Sequence, residues 1–171
     1  MYSIRESVFE TNSSSSHSVA IKGRKEKNFS DDNKYGIEEL KDYIKNDGYL
    51  HIDLEEFGWG PETYIDPYYK LSYLLCMLMC VNGIGGDWHD EDAAKIRSDL
   101  ERTKEWEEIN EFIIDLYNCN GIYIDDCSGY IDHQSYEDYR SVRDFLNDYD
   151  VSIDDFIFNS NIKLIIDNDN H

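Results

Sequence analysis

From Pro67 to Val81 the chain reads Pro-Tyr-Tyr-Lys-Leu-Ser-Tyr-Leu-Leu-Cys-Met-Leu-Met-Cys-Val. On a helical wheel this segment is apolar nearly all the way round, so it has no face to offer water and belongs at the centre of a fold. Pro67 suits the first turn of such a helix. The strongly apolar run, Leu74 to Val81, covers eight residues, whereas a membrane span needs about 20. The segment is therefore expected to be a buried helix, with Leu71, Leu74, Leu75, Leu78 and Met79 in the core. The 171 residues that surround it fit one compact domain, 1–171, on a prior of about 100–200 residues per domain. A domain of that size buries roughly 70% of its unfolded surface and needs neither disulfides nor metal to fold.

The remaining pattern is mixed. Residues 2–9 and 17–22 alternate enough for short strands around a Ser-rich loop. Ile37 to Lys45 places Ile37, Leu40, Tyr43 and Ile44 at helical spacing, and Tyr49 to Leu54 alternates as a strand. Gly58-Trp59-Gly60-Pro61 reads as a turn. Residues 90–117 read as helix in one or two pieces, the second with a stripe of Trp106, Ile109, Phe112, Ile113 and Leu116. Ile122 to Asp126 and Tyr130-Ile131-Asp132 read as strands, Tyr136 to Asn147 as a helix and Ile162 to Ile166 as a last strand. Irregular interleaving predicts an α+β fold: a small mixed or antiparallel sheet packed on a central apolar helix and two or three amphipathic ones.

Charge narrows the function. With 16 Lys+Arg against 37 Asp+Glu the net charge is −21. Phosphate neutralisation supplies most non-specific nucleic-acid affinity, so generic nucleic-acid binding is excluded, and anionic membranes are poor partners for the same reason. The last 51 residues hold 11 Asp and one Glu, with Lys or Arg only at Arg140, Arg143 and Lys163. Such an excess gives a strong negative field and solubility at the expense of self-repulsion. Usage rich in Ile, Asn, Lys and Tyr resembles an AT-rich genome more than salt adaptation. Glu101, Glu105, Glu108, Glu111 and Asp115 recur at three and four along one predicted helix, which sets neighbours about 6 Å apart. They are expected to form a continuous exposed face, joined by Asp138, Asp148 and Asp154. A solvated face is the plain reading. The alternative is presentation of phosphate-like charge to a basic groove.

No secretory signal is visible at Met1-Tyr2-Ser3-Ile4-Arg5-Glu6, so a cytoplasmic location is expected, with Cys76, Cys80, Cys119 and Cys127 as reduced thiols. A four-thiolate zinc site would show two short Cys pairs, and only Cys76 and Cys80 come close. Asp87, His89, Asp90, Glu91 and Asp92 form an oxygen-rich cluster without a defined ion-binding loop, and acids are favourable at a helix start without any ion. The sequence therefore calls for no metal and no cofactor.

Two motifs carry possible catalysis. Asn12 to Ser18 brings together an amide, hydroxyls including Ser14 and Ser16, and the imidazole of His17, a set able to meet a phosphate. It lacks the glycines and lysine of a phosphate loop, and serine runs are good loop formers. Asp132-His133 places a carboxylate beside an imidazole at a strand end. Neighbours on a strand point to opposite faces, and a helix cap at Ser135 is the plain alternative. If His17 and His133 met, they would serve as base and acid in phosphodiester cleavage.

The segments Arg5 to Ser18, Phe57-Gly58-Trp59-Gly60 and Gly129-Tyr130-Ile131-Asp132-His133-Gln134-Ser135 resemble an uncharacterised family of phage and low-GC bacterial proteins. The resemblance implies a mobile-element origin and no particular chemistry. Two functions follow as expectations. One is a phage-type anti-defence protein whose acidic surface occupies the basic nucleic-acid groove of a host nucleic-acid-processing protein, such as a CRISPR nuclease or restriction enzyme. The other is a ribonuclease-like enzyme using His17, Asp132, His133 and the Ser-rich loop. An acidic enzyme acting on a polyanion works against its own field, which favours the first.

Overall fold

The computed structural model of the protein describes residues 17–22, 31–58, 62–85, 93–131 and 139–168. In chain order the elements are β1 (His17–Lys22), α1 (Asp31–Lys41), β2 (Leu50–Asp53), β3 (Glu56–Phe57), β4 (Glu62–Tyr64), α2 (Pro67–Asn82) and α3 (Ala93–Leu100). Then come α4 (Lys104–Tyr117), β5 (Ile122–Asp126), β6 (Tyr130–Ile131), α5 (Val142–Asp148), α6 (Ile153–Phe158) and β7 (Lys163–Asn168). The fold is α+β, as the interleaving predicts.

α2 forms where the sequence places it, and its ends show why. Asp66 caps the start, its carboxylate accepting the Tyr68 backbone N–H at 2.7 Å, and Pro67 occupies the first turn. At the far end Gly83 turns left-handed at φ 63°, where glycine carries no side-chain penalty. Its N–H bonds Cys80 O while Ile84 N–H reaches back to Met79 O, which closes the helix. Leu71, Leu74, Leu75 and Leu78 are fully buried and Met79 nearly so. One apolar cluster, centred on this helix, draws side chains from Ile21 to Ile166.

Three polar groups on α2 are satisfied by other elements, whereas the buried Tyr73 hydroxyl has no hydrogen-bond partner among the described residues. Ser72 Oγ accepts the Glu55 N–H at 2.9 Å, and the Tyr68 hydroxyl accepts the Asp53 N–H at 2.8 Å. Lys70 is fully buried and donates to the carbonyls of Asn159 (3.1 Å) and Ile162 (3.3 Å), just beyond α6. Burial pushes its ammonium down to about 7, against a smaller opposing pull from Asp66.

The strands divide into three small sheets rather than one. β7 lies between β1 and β4, antiparallel to both, whereas β2 pairs with β5 and β3 with β6 in parallel. The parallel pairing needs a long crossover, which α2, α3 and α4 supply. Between the two parallel pairs, Leu54 N–H bonds Asp126 O and Tyr130 N–H bonds Glu55 O, carrying the ribbon across the break. Gly129 sits there with its missing Cβ only 2.1 Å from the Leu54 carbonyl carbon, an approach that no side chain permits.

Some boundaries depart from expectation. The helix expected over Tyr136–Asn147 begins at Val142, because extended Ser141 caps it by accepting the Asp144 N–H at 3.0 Å. α1 ends at Lys41, and Ile44 instead bridges Leu50. β3, β4 and α6 are too short to leave a periodic signature. Residues 2–9, Trp59 to Pro61 and the Asp87–Asp92 cluster lie outside the described residues.

Candidate interaction surface

α4 starts at Thr103, whose Oγ1 accepts the Trp106 N–H at 3.2 Å, and Glu105 and Glu107 occupy its favourable first turn. Trp106, Ile109 and Ile113 are buried. Phe112 packs partly on Phe158, and Leu116 is exposed instead of completing the apolar stripe.

The continuous acidic face is thereby corrected to two rows. Glu105 and Glu108 flank the buried stripe on the side where α5 packs, are half-buried, and line a cavity of about 260 Å³ with Val142, Arg143 and Ser152. The Arg143 guanidinium binds the Glu108 carboxylate at 2.5 Å, and Lys104 approaches it at 3.8 Å. The outer row is Glu107, Glu111 and Asp115, four residues apart and exposed, and among the described residues none of the three has an ion-pair partner. Glu101 lies exposed in the turn before α4. Asp148 is exposed at the end of α5 and Asp154 half-buried at the start of α6, while Asp138 lies outside the described residues.

The residues of the catalytic reading are dispersed between described and undescribed parts. His17 opens β1, its backbone opposite Asn168 of β7. Asn12, Ser14, Ser16, Asp132 and His133 lie outside the described residues, so the two-histidine geometry does too.

A different histidine is fully engaged. His51 of β2 holds Asp125 of β5 through Nδ1 at 2.9 Å and Asp47 through Nε2 at 3.0 Å, and Lys45 adds a 2.7 Å bond to Asp125. The Tyr49 backbone N–H, with His51, holds the Asp47 carboxyl below the usual range. Partial burial pushes the Asp125 carboxyl up, yet the bonds from Lys45 and His51 outweigh it and set it low. Carboxylates engage both ring nitrogens of His51, so the group ties β2 to β5 as a clamp.

Aromatic rings occupy the neighbouring surface. Tyr43 and Tyr68 lie 4.5 Å apart between centroids, Tyr68 and Tyr69 5.7 Å, and Tyr69 and Tyr64 5.5 Å. Across β5, Arg97 stacks on Tyr123 at 5.1 Å while donating to Ile124 O at 2.9 Å.

Comparison with protein families, curated proteins and solved structures gives no match.

The four cysteines are free thiols, and burial pushes the Cys76 thiol well up. Among the described residues no three metal-ligating side chains converge, and no helix is long and apolar enough to cross a membrane. The sequence reading missed the His51 clamp and the tyrosine ladder. Asp47 and His51 stand four apart and hinted at a pair, but Asp125 joins them from 74 residues away. The ladder draws on a turn, a strand and a helix, and no linear spacing encodes it.

Proposed function

We propose that this protein is an anti-defence interaction protein of phage type, whose acidic surface occupies the basic groove of a nucleic-acid-processing effector. The observation that carries the reading is the outer row of α4. Glu107, Glu111 and Asp115 are exposed, and none is neutralised by a cation among the described residues. One turn apart, such carboxylates repel each other by a few tenths of a kcal/mol per pair. A partner cation relieves that repulsion, as Arg143 and Lys104 already do for Glu108. The net charge of −21 extends the field beyond this row and favours rapid encounter with a basic surface. The phage setting comes from the sequence resemblance alone.

Inhibition of a panel of RNA-guided and restriction nucleases, measured over a salt series, tests this reading. Wild type is expected to inhibit at low salt and to lose potency as salt rises, since exposed charges are screened over about 8 Å at physiological strength. The variant carrying Glu107→Lys, Glu111→Lys and Asp115→Lys should associate more slowly, because exposed charges chiefly steer encounter. Glu108 is left intact because a lysine there would face Arg143 and disturb α5. Equal potency of the two proteins at low salt would refute the role of this row.

A further inference from the structure

We propose that the ladder Tyr43–Tyr68–Tyr69–Tyr64 is a docking surface for arginine side chains of a protein partner. The inference rests on the acidic-surface reading above and adds where, and by which cation, the partner is held. Tyr43 and Tyr69 are 42% and 40% exposed, and ring contacts through Tyr68 join them. Consecutive rings stand 4.5–5.7 Å apart, tilted at Tyr43–Tyr68 and Tyr69–Tyr64 and edge-to-face at Tyr68–Tyr69. They form one contiguous cluster in which Tyr68 is buried and Tyr43 and Tyr69 reach solvent.

Carboxylates lie beside the rings. Burial is the main reason that the phenols of Tyr43, Tyr64 and Tyr68 are raised, and negative neighbours push in the same direction. For Tyr43 these include Asp66, Glu39 and Asp42. Glu62 accepts the Tyr64 hydroxyl. Yet among the described residues no Lys or Arg stacks on any of the four rings.

The same molecule shows what such a ring takes when a cation is present. Arg97 lies 5.1 Å over Tyr123 while its Nη1–H donates to the Ile124 carbonyl. An electron-rich face flanked by carboxylates suits a guanidinium on both counts, since its plane stacks while its edge makes paired bonds to a carboxylate. An ammonium also lies over rings and donates hydrogen bonds, but as a compact, strongly hydrated charge it lacks the plane that stacks and the fork that pairs with a carboxylate. A second copy of this chain is the wrong occupant, because two bodies of charge −21 repel. Rigid tyrosines also lose little freedom on binding, which suits them to anchor a partner.

Fluorescence anisotropy of labelled octa-arginine and octa-lysine, titrated with the full chain at low and high salt, separates these contributions. Wild type is expected to prefer octa-arginine by about fivefold, because the guanidinium adds planar stacking and paired hydrogen bonds to the cation–π attraction that both cations make. Tyr43→Ala with Tyr69→Ala should equalise the two peptides, and Tyr43→Phe with Tyr69→Phe should keep the preference. The α4 triple-lysine variant should weaken both peptides while leaving their ratio unchanged. Equal, salt-sensitive binding of both peptides to wild type overturns the ladder but leaves the acidic reading standing; binding of neither overturns both. Retention of the arginine preference by the double alanine variant also overturns it. Ring resonances of Tyr43 and Tyr69 give a check without any variant: octa-arginine should shift them, and shifts confined to other tyrosines refute the proposal.

Discussion

Lys70→Met is expected to stabilise this protein at neutral pH and destabilise it in alkali. Lys70 is fully buried within α2, and its Nζ contacts two backbone carbonyls with no carboxylate in hydrogen-bond reach. Its ordinary value of 10.5 is pushed down to about 7 by burial. Between about pH 7 and 10.5 the unfolded chain therefore carries a proton here that the folded chain does not, so stability attributable to Lys70 rises with pH across that window. Below about 7 both states are protonated and the full penalty applies, on the order of 5 kcal/mol at about 1.4 kcal/mol per pH unit. Above 10.5 both are neutral and the penalty is gone. Methionine fills similar space without the charge but forfeits two hydrogen bonds, each worth about 1 kcal/mol. The variant should gain about 3 kcal/mol at pH 7 and lose about 2 kcal/mol near pH 10.5, crossing wild type near pH 9. Urea denaturation of both proteins from pH 7 to 10.5 measures the difference. Buried tyrosines and cysteines titrate in both proteins alike, so that difference isolates Lys70. A difference that stays flat with pH, or a methionine variant weaker than wild type at pH 7, would refute the reasoning.

Leu75→Ala removes a fully buried side chain from α2 and should cost about 2–5 kcal/mol by chemical denaturation. Gly129→Ala forces a methyl into the Leu54 backbone, so it should cost at least about 1–3 kcal/mol, the range for overpacking, and weaken amide protection at Tyr130. The Asp47–His51–Asp125 clamp should loosen in acid. Both carboxyls titrate below their ordinary 3.8, so the stability they add is complete above that pH and lost as pH falls through their folded values. Asp125→Asn should flatten this acid limb of the stability curve, and an unchanged limb would show that the clamp contributes nothing.

Much of the architecture is local information and is legible in the residues themselves. The Asp66-Pro67 start, the apolar run to Val81 and the glycine at 83 determine α2 without reference to anything distant, because capping and all-round burial act within a few residues. The same holds for α4 behind Thr103, and for β2 and β5, whose alternation appears in the sequence. What the alternation does not contain is a partner or a direction. The parallel pairing of β2 with β5 depends on a crossover of three helices, and the close join between the two parallel pairs depends on Gly129 meeting Leu54. The site follows the same rule. Helical spacing identifies the α4 acids, but only packing decides that Glu108 turns inward to Arg143 while Glu107, Glu111 and Asp115 face water. Lys70 reads as one cation in an apolar run, and its burial against α6 depends on residues 89 and 92 positions away. Net charge is a sum over residues and needs no fold; which charges meet, which are buried and which rings stack are distances, and tertiary structure alone sets them.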